Sequence, residues 1–309
     1  MANKEYPVIY ETKLPLPVFI QGKVRDTYDL GNHLLIIATD RISAFDIVLP
    51  TGIPLKGHVL NRLSNFWFRI TKEIVPNHMV ETLDDLHGLD SYLPEDKRFN
   101  YPSYLRGRSM IVKKVKRIPL ECVIRGYLSG SAWAEYKEKG TISGNPMPKG
   151  MVESQELPQP LFTPTTKADS GHDEPVNKDY ITKMLGLRVT KELEDKSTLL
   201  YISARKYALS KGIIIADTKF EFGIDNGKLI LIDEALTPDS SRFWDVSKYT
   251  IGKSQESFDK QPVRDWLVAS GWNKKPPAPE LPPDVVTATT KRYMAAYEML
   301  TGRRLAILE

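Results

Sequence analysis

Residues 212–245, GIIIADTKFEFGIDNGKLILIDEALTPDSSRFWD, hold two apolar strands, a tight turn between them and acids near the end of each strand. Ile213-Ile214-Ile215 leads into Asp217, Lys219 and Glu221 at period two, with Phe220 and Phe222 between them. On a strand that spacing puts the three charged residues on one face and the aromatics on the other. Leu229–Ile232 then delivers Asp233-Glu234. Asp225-Asn226-Gly227 is a strong hairpin signal. A two-residue Asn-Gly loop would set Asp233 opposite Phe220, on the wrong face. A three-residue loop with Gly227 left-handed sets it opposite Lys219, so a bulged hairpin is expected. Glu221 and Asp233 would then be near enough to share one Mg²⁺, a hard cation that takes oxygen ligands. Alternating charges usually mean a solvated face, but these strands are too apolar for a surface ribbon.

The 309 residues suffice for a large core and for one to three domains. The net charge of +4 suits anionic small molecules and is too diffuse for nucleic acid. The single cysteine, Cys122, excludes a disulfide framework and reads as a small buried residue. The charged N-terminus has no apolar signal core, and no segment is long and apolar enough for a membrane span. A cytoplasmic protein is expected, with no membrane or nucleic-acid partner.

Strands dominate residues 18–38, and helical spacing covers 57–70. Two β-rich runs flank Arg117. Ser131 is expected to N-cap a helix, AWAEYKEK, closed by Gly140. Residues 143–178, dense in Pro, Gly, Thr and Asp, read as a long loop that is functional or disordered. Two helices broken near Gly186 or Leu187 precede the charged hairpin. A helix within 257–272, a proline-rich connector over 273–286 and a helix closed by Gly302 complete the chain. Strands without regular βαβ alternation argue for α+β with antiparallel sheets. Three regions are expected: 1–112, with a phosphate-covering hairpin; 113–258, with the metal and anion sites; and 259–309, the C-terminal helices.

Gly22-Lys23-Val24-Arg25-Asp26 joins two strands, with Lys23 and Arg25 on one side. It resembles a phosphate-covering hairpin more than a Walker loop, although a plain turn with two surface bases is the commoner reading. In Arg125–Ser131, RGYLSGS, a Ser-Gly-Ser helix start offers free N–H groups to an anion and Arg125 adds a fork. An ordinary capped helix explains the same residues equally well. Asp239–Arg242 carries a second arginine fork. Lys167, His172 and Asp173 lie in the long loop.

GKVRD at 22–26, SAFD at 43–46, ECVIRGYLSGS at 121–131, TKADSGHDE, IADTKFEFG at 215–223 and DEALTPDSSRFWD at 233–245 together resemble the SAICAR synthetases, in family order. The resemblance implies an ATP-grasp-like arrangement of two α+β regions with nucleotide between them. It implies a ligase joining L-aspartate to 4-carboxy-5-aminoimidazole ribonucleotide, with ATP cleaved to ADP and phosphate through an acyl phosphate. Gly22, Lys23 and Arg25 would face ATP phosphates; the segment 111–119, Lys113 included, would supply the adenine pocket, and Glu121 would belong to the nucleotide site. Glu221 and Asp233 would ligate Mg²⁺, beside the catalytic pair Asp217 and Lys219. Arg125, Ser131 and Arg242 would hold the ribonucleotide, Asp46 would line the substrate side, and Lys167 would lie near the amino acid. The 143–178 loop would be a lid over the acyl phosphate. Asp217, His172 or a substrate carboxylate would take the amine's proton. The C-terminal helices match the longer form of the family, as monomer or homodimer. Two other readings stay open: a small-molecule kinase, because Asp217-x-Lys219-x-x-x-Gly223 also occurs in inositol phosphate kinases, and a nucleotide sensor without turnover.

Overall fold

Continuous apolar runs, residues 34–38 and 110–112, build the buried centre of the first sheet. Strands β1 (Val18–Gln21), β2 (Arg25–Asp29) and β3 (His33–Ala38) form an antiparallel meander. After the small hairpin β4 (Ser43–Ala44) and β5 (Ile47–Val48), helix α1 (Lys56–Ile70) precedes β6 (Met79–Thr82) and β7 (Ser109–Lys113), giving the order β1-β2-β3-β7-β6. Leu35, Ile37 and Ile111 pack with Tyr28, Leu89 and Leu105 in one core. Asp40, fully buried, accepts from Gly57 N at 2.9 Å, Ile9 N at 2.8 Å and Arg108 Nη1 at 2.9 Å. Both oxygens of this buried charge thus have donors, as burial demands. The computed structural model describes residues 6–167 and 173–307. Its chain divides into two compact units: Met1–Phe66 with His78–Lys114 and Asp259–Glu309, and Trp67–Asn77 with Val115–Phe258.

The second unit is built on one seven-stranded antiparallel sheet containing β8 (Lys116–Arg117), β9 (Leu120–Tyr127), β12 (Glu156–Phe162), β13 (Thr165–Thr166), β14 (Ile213–Asp225), β15 (Lys228–Ile232) and β16 (Ser241–Asp245). The thirteen-residue β14 is its spine, pairing with β9 and β8 along one edge and with β16 and β15 along the other. Helix α2 (Gly130–Lys139) follows β9 and leads to the small hairpin β10 (Thr141–Ile142) and β11 (Asn145–Pro146). Helices α3 (Lys178–Leu185) and α4 (Leu187–Leu209) break at Gly186, φ 81°, as expected. Helix α4 lies against β14 and β9, and its Tyr201 hydroxyl donates to Ile215 O at 2.7 Å. Gly126 makes that approach possible: a Cβ there would sit 1.8 Å from the Tyr201 oxygen. Cys122 is buried, directly across from Phe220 in the β9–β14 register, and burial pushes its thiol up to about 12. Helices α5 (Gln261–Ala269) and α6 (Pro283–Thr301) belong to the first unit, where Val263, Leu267 and Leu281 pack on Ile42, Ala44 and Leu49. No described helix is long and apolar enough to cross a membrane.

The α+β class with antiparallel sheets and C-terminal helices stands as expected. Four local expectations are corrected. The 225–228 turn is not bulged: Asp225 pairs with Lys228, and Asn226 (φ 49°) and Gly227 (φ 77°) are both left-handed, a two-residue turn whose twist matches the strands. The N-cap of α2 is Ser129, whose carbonyl already accepts from Trp133 N at 3.4 Å, so Ser131 lies in the first turn. Residues 143–178 are not one loop. They contain β11, β12 and β13, with Leu157 and Phe162 buried against β9's neighbourhood despite Pro158 and Pro160. Proline suits β12 because it lies at the end of the sheet order, where a missing N–H is tolerated. Finally, α6 starts at Pro283, inside the supposed connector, since proline fits a helix's first turn.

Buried His58 on α1 lies near Arg108 and Arg62, and burial followed by these two charges pushes its imidazole down to about 3. Between pH 6.5 and 3 the unfolded chain therefore binds a proton that the folded chain does not. Stability should fall as pH drops through that window, by at most about 1.4 kcal/mol per pH unit from this group. Urea titrations at pH 7 and pH 5 check this: His58→Leu should show a smaller loss between the two than the parent.

Candidate active site

Strand register sorts one face of the second unit's sheet into two charge clusters. Asp217 on β14 is opposite Arg125 on β9 and opposite Arg242 on β16. Its Oδ2 accepts from Arg242 Nη1 and, at 3.4 Å, from Arg125 Nη1. Two residues further, Lys219 is opposite Val123, and the same parity brings Glu121 and Glu221 onto that face. The aromatic partners Phe220 and Phe222 are fully buried, as period two requires.

The first cluster is cationic. Arg125 also donates to Thr163 Oγ1 at 3.0 Å and to Ser131 Oγ at 3.3 Å. A Cβ on Gly130 would lie 2.3 Å from Arg242 Nη2, so the missing side chain is what lets the guanidinium rest against the start of α2. Two guanidinium groups thus share one carboxylate beside a helix N-terminus whose first N–H groups lack intrahelical acceptors. Burial lowers the Arg125 guanidinium from its ordinary value, with Asp217 opposing and Arg242 reinforcing the shift. An incoming dianion would complete the neutralisation that one carboxylate leaves half done.

The second cluster alternates in sign. Lys167 Nζ donates to Glu221 Oε1 at 2.7 Å and to Glu121 Oε1 at 2.9 Å, and Lys219 Nζ donates to Glu121 Oε2. Burial opposes the ionisation of Glu121, but Lys219 and Lys167 outweigh it and hold its carboxyl below the usual value. Burial and then the charge of Asp233 push Glu221 up to about 7, with Lys167 pulling the other way. Burial works against the Lys167 ammonium, yet Glu221, Glu121 and Asp233 raise it well above its ordinary value. Asp233 enters this cluster by a route unlike the expected bulge. The strand β15 ends at Ile232, and Asp233 takes φ 64°, leaving the ladder whose parity would have turned it away. Aspartate tolerates that backbone better than most residues. Among the described residues no three Asp, Glu, His or Cys side chains converge as a metal cage.

In the first unit, Lys23 Nζ donates to Asp46 Oδ1 at 2.6 Å. Gly22 N donates to Arg25 O at 2.8 Å, closing the turn between β1 and β2. Arg41 wraps that turn, donating to Gly22 O at 2.9 Å, Lys23 O at 3.1 Å and Asp26 Oδ1 at 2.8 Å. Lys113, the exposed last residue of β7, pairs in register with His33. Arg41 and Thr163 carry no motif, so pattern reading passes over them; the only signal for Arg41 is its position after the β3 strand. His172 lies outside the described residues.

The profile of the SAICAR synthetase family matches residues 18–279. A phosphoribosylaminoimidazole-succinocarboxamide synthase of Thermodesulfovibrio yellowstonii is 51% identical over 96% of this chain and 99% of its own. The fold is similar to that of a Saccharomyces cerevisiae SAICAR synthase complexed with SAICAR, with TM-score 0.87 and 44% identity over 97% of this chain and all of that one. It is also similar to a SAICAR synthetase in complex with ADP, with TM-score 0.67 and 26% identity over 94% of this chain and all of that one.

Removing the Lys167 charge leaves Glu221, Glu121 and Asp233 to repel one another. Lys167→Met should therefore destabilise the protein by about 2 kcal/mol at pH 8. The loss should shrink at pH 6, where Glu221 can take up a proton. Urea unfolding at the two pH values distinguishes this from a packing defect, which would be the same at both.

Proposed function

The chain belongs to the SAICAR synthetase family, and on that premise we propose how its two charge clusters divide the work of the reaction. The enzyme is an ATP-dependent ligase of purine biosynthesis that joins L-aspartate to 4-carboxy-5-aminoimidazole ribonucleotide, releasing ADP and phosphate. The relatives described above are all synthases, and the kinase alternative gains no support from them.

A carboxylate does not acylate an amine until its oxygen is made a leaving group. One carboxylate oxygen of the ribonucleotide attacks the γ-phosphorus of ATP, the bond to the β-phosphate oxygen breaks, and ADP leaves. The aspartate amine then attacks the acyl carbon, the C–O bond to phosphate breaks, and an amide forms with release of inorganic phosphate and a proton. Such transfers depend on positioning and charge neutralisation more than on covalent help. The observation that carries the assignment is the paired-arginine cluster at the start of α2, set beside the Lys/Glu cluster on one face of one sheet. Arg125, Arg242, Ser131 and the first N–H groups of α2 hold the ribonucleotide's phosphate. Asp217 keeps the two guanidinium groups side by side. Lys219, the most exposed of the second cluster, neutralises the phosphoryl group in transfer while Glu121 holds it in place. Lys23 and Arg25, on the turn braced by Arg41, meet the ATP phosphates. Asp46 lines the substrate side, and Lys167 meets the amino acid.

The donor set fits Mg²⁺. Two crowded acids, Glu221 and Asp233, without a third ligand among the described residues, match a cation that completes its shell with substrate phosphates and water. Bound there, Mg²⁺ would supply charge neutralisation for the ATP phosphates.

Two measurements test this division. ADP should form from Mg-ATP and the ribonucleotide only with L-aspartate present, matched by equal succinocarboxamide product; a stable phosphorylated ribonucleotide would overturn it. Arg242→Ala should raise KM for the ribonucleotide at least about 30-fold, as expected for loss of a charge-assisted bond of about 2 kcal/mol, with KM for ATP little changed. Equal effects on both KM values would remove Arg242 from the ribonucleotide site. For the metal, Glu221→Gln should abolish the Mn²⁺ paramagnetic signature of the ADP complex without abolishing ADP binding.

A further inference from the structure

The turn joining β4 to β5 has an unusual backbone for its sequence. Phe45 and Asp46 are both left-handed, φ 51° and φ 64°, and Ala44 pairs with Ile47 around them. Two-residue turns of this form favour Asn-Gly or Gly-Gly, and a phenylalanine there is a strained choice. Strain of this kind persists only where the surroundings over-determine it.

The surroundings come from the C-terminal segment. Lys274 Nζ lies 4.5 Å from the centroid of the Phe45 ring, and the Trp272 ring meets it edge-on at 6.4 Å. Lys274 is itself left-handed, φ 59°, and is held by neighbours on both sides. The Trp272 indole donates to Lys275 O at 2.8 Å, and Lys275 N donates to Asn273 Oδ1 at 2.9 Å. Beneath the turn, Ala44 and Leu49 pack on Val263, Leu267 and Leu281, and Leu281 N donates to Thr51 Oγ1 at 2.9 Å. The outcome of the strained turn is the placement of the Asp46 carboxylate 2.6 Å from Lys23.

We propose that Lys274 and Trp272 are positioning residues for the ligase: they clamp the Phe45 ring, and so hold the left-handed turn that presents Asp46 to Lys23. The C-terminal segment is then part of the catalytic apparatus without touching substrate. This rests on the reading of Asp46 and Lys23 as site residues.

A double-mutant cycle tests it. Lys274→Ala should lower kcat/KM for ligation about four-fold, since the cation over the ring is lost, and Lys274→Arg should restore most of it. In an Asp46→Asn background the same Lys274→Ala change should cost less than about two-fold, because the clamp acts only through Asp46. Equal losses in both backgrounds, or an arginine variant as poor as the alanine one, would overturn the clamp while leaving Asp46 in the site. Parent-like kinetics for Asp46→Asn would overturn the clamp together with the reading of Asp46. Circular dichroism of each variant checks that the fold is kept.

Discussion

Everything in the second unit is arranged around Asp217, a carboxylate held on the central strand between two guanidinium groups from the strands on either side. Antiparallel pairing forces the three residues onto one face, so their register cannot slip without stranding a buried charge. A one-residue shift of β9 or β16 would put an arginine among Phe220, Phe222 and the side chains of α4. The ion triplet therefore selects the register, and the register in turn sets Lys219, Glu221 and Glu121 where they can interlock with Lys167. Folding specificity and the proposed anion site draw on the same three side chains.

Charge in this site is left incomplete in a directed way. Two arginines face one aspartate, and two lysines face Glu121, Glu221 and Asp233. The first cluster has an excess of positive charge and the second an excess of negative charge. On the proposed assignment, an anionic substrate would relieve the one and a cation the other. The protein would then bear the cost of that imbalance in its stability and substrate binding would offset it, a common relation between preorganised sites and the folds that hold them.

Much of this was legible in the primary structure, for reasons that differ by residue. The alternation through Asp217, Lys219 and Glu221 fixes a face because a strand has period two, and the covered aromatics agree. Glycines at 140 and 302 mark helix ends because only a left-handed residue closes them there. Parity failed at Asp233, because a single left-handed residue after a strand breaks the alternation and local spacing does not announce it. A three-residue loop would restore that parity at the turn, whereas the chain restores it at Asp233 itself. Serine is favoured at a cap and both Ser129 and Ser131 qualify by type, but it is the Ser129 carbonyl that takes the first intrahelical bond, a choice set by backbone geometry rather than residue type. The strand β12 was hidden by its prolines, which mean irregularity in most contexts and only mean an outer strand once the sheet order is known. Arg41 and Thr163 could not be found by pattern, since their roles are set by contacts far away in the chain.

Cys122 sits on the covered face of β9, one residue from Glu121 and across from Phe220. Its thiol is protonated and sealed under α4, so alkylating reagents can reach it only when that helix lifts from the central strands. As the chain's sole cysteine, it provides a built-in clock: its rate of modification reports how often the sheet that carries the active face is laid bare from behind.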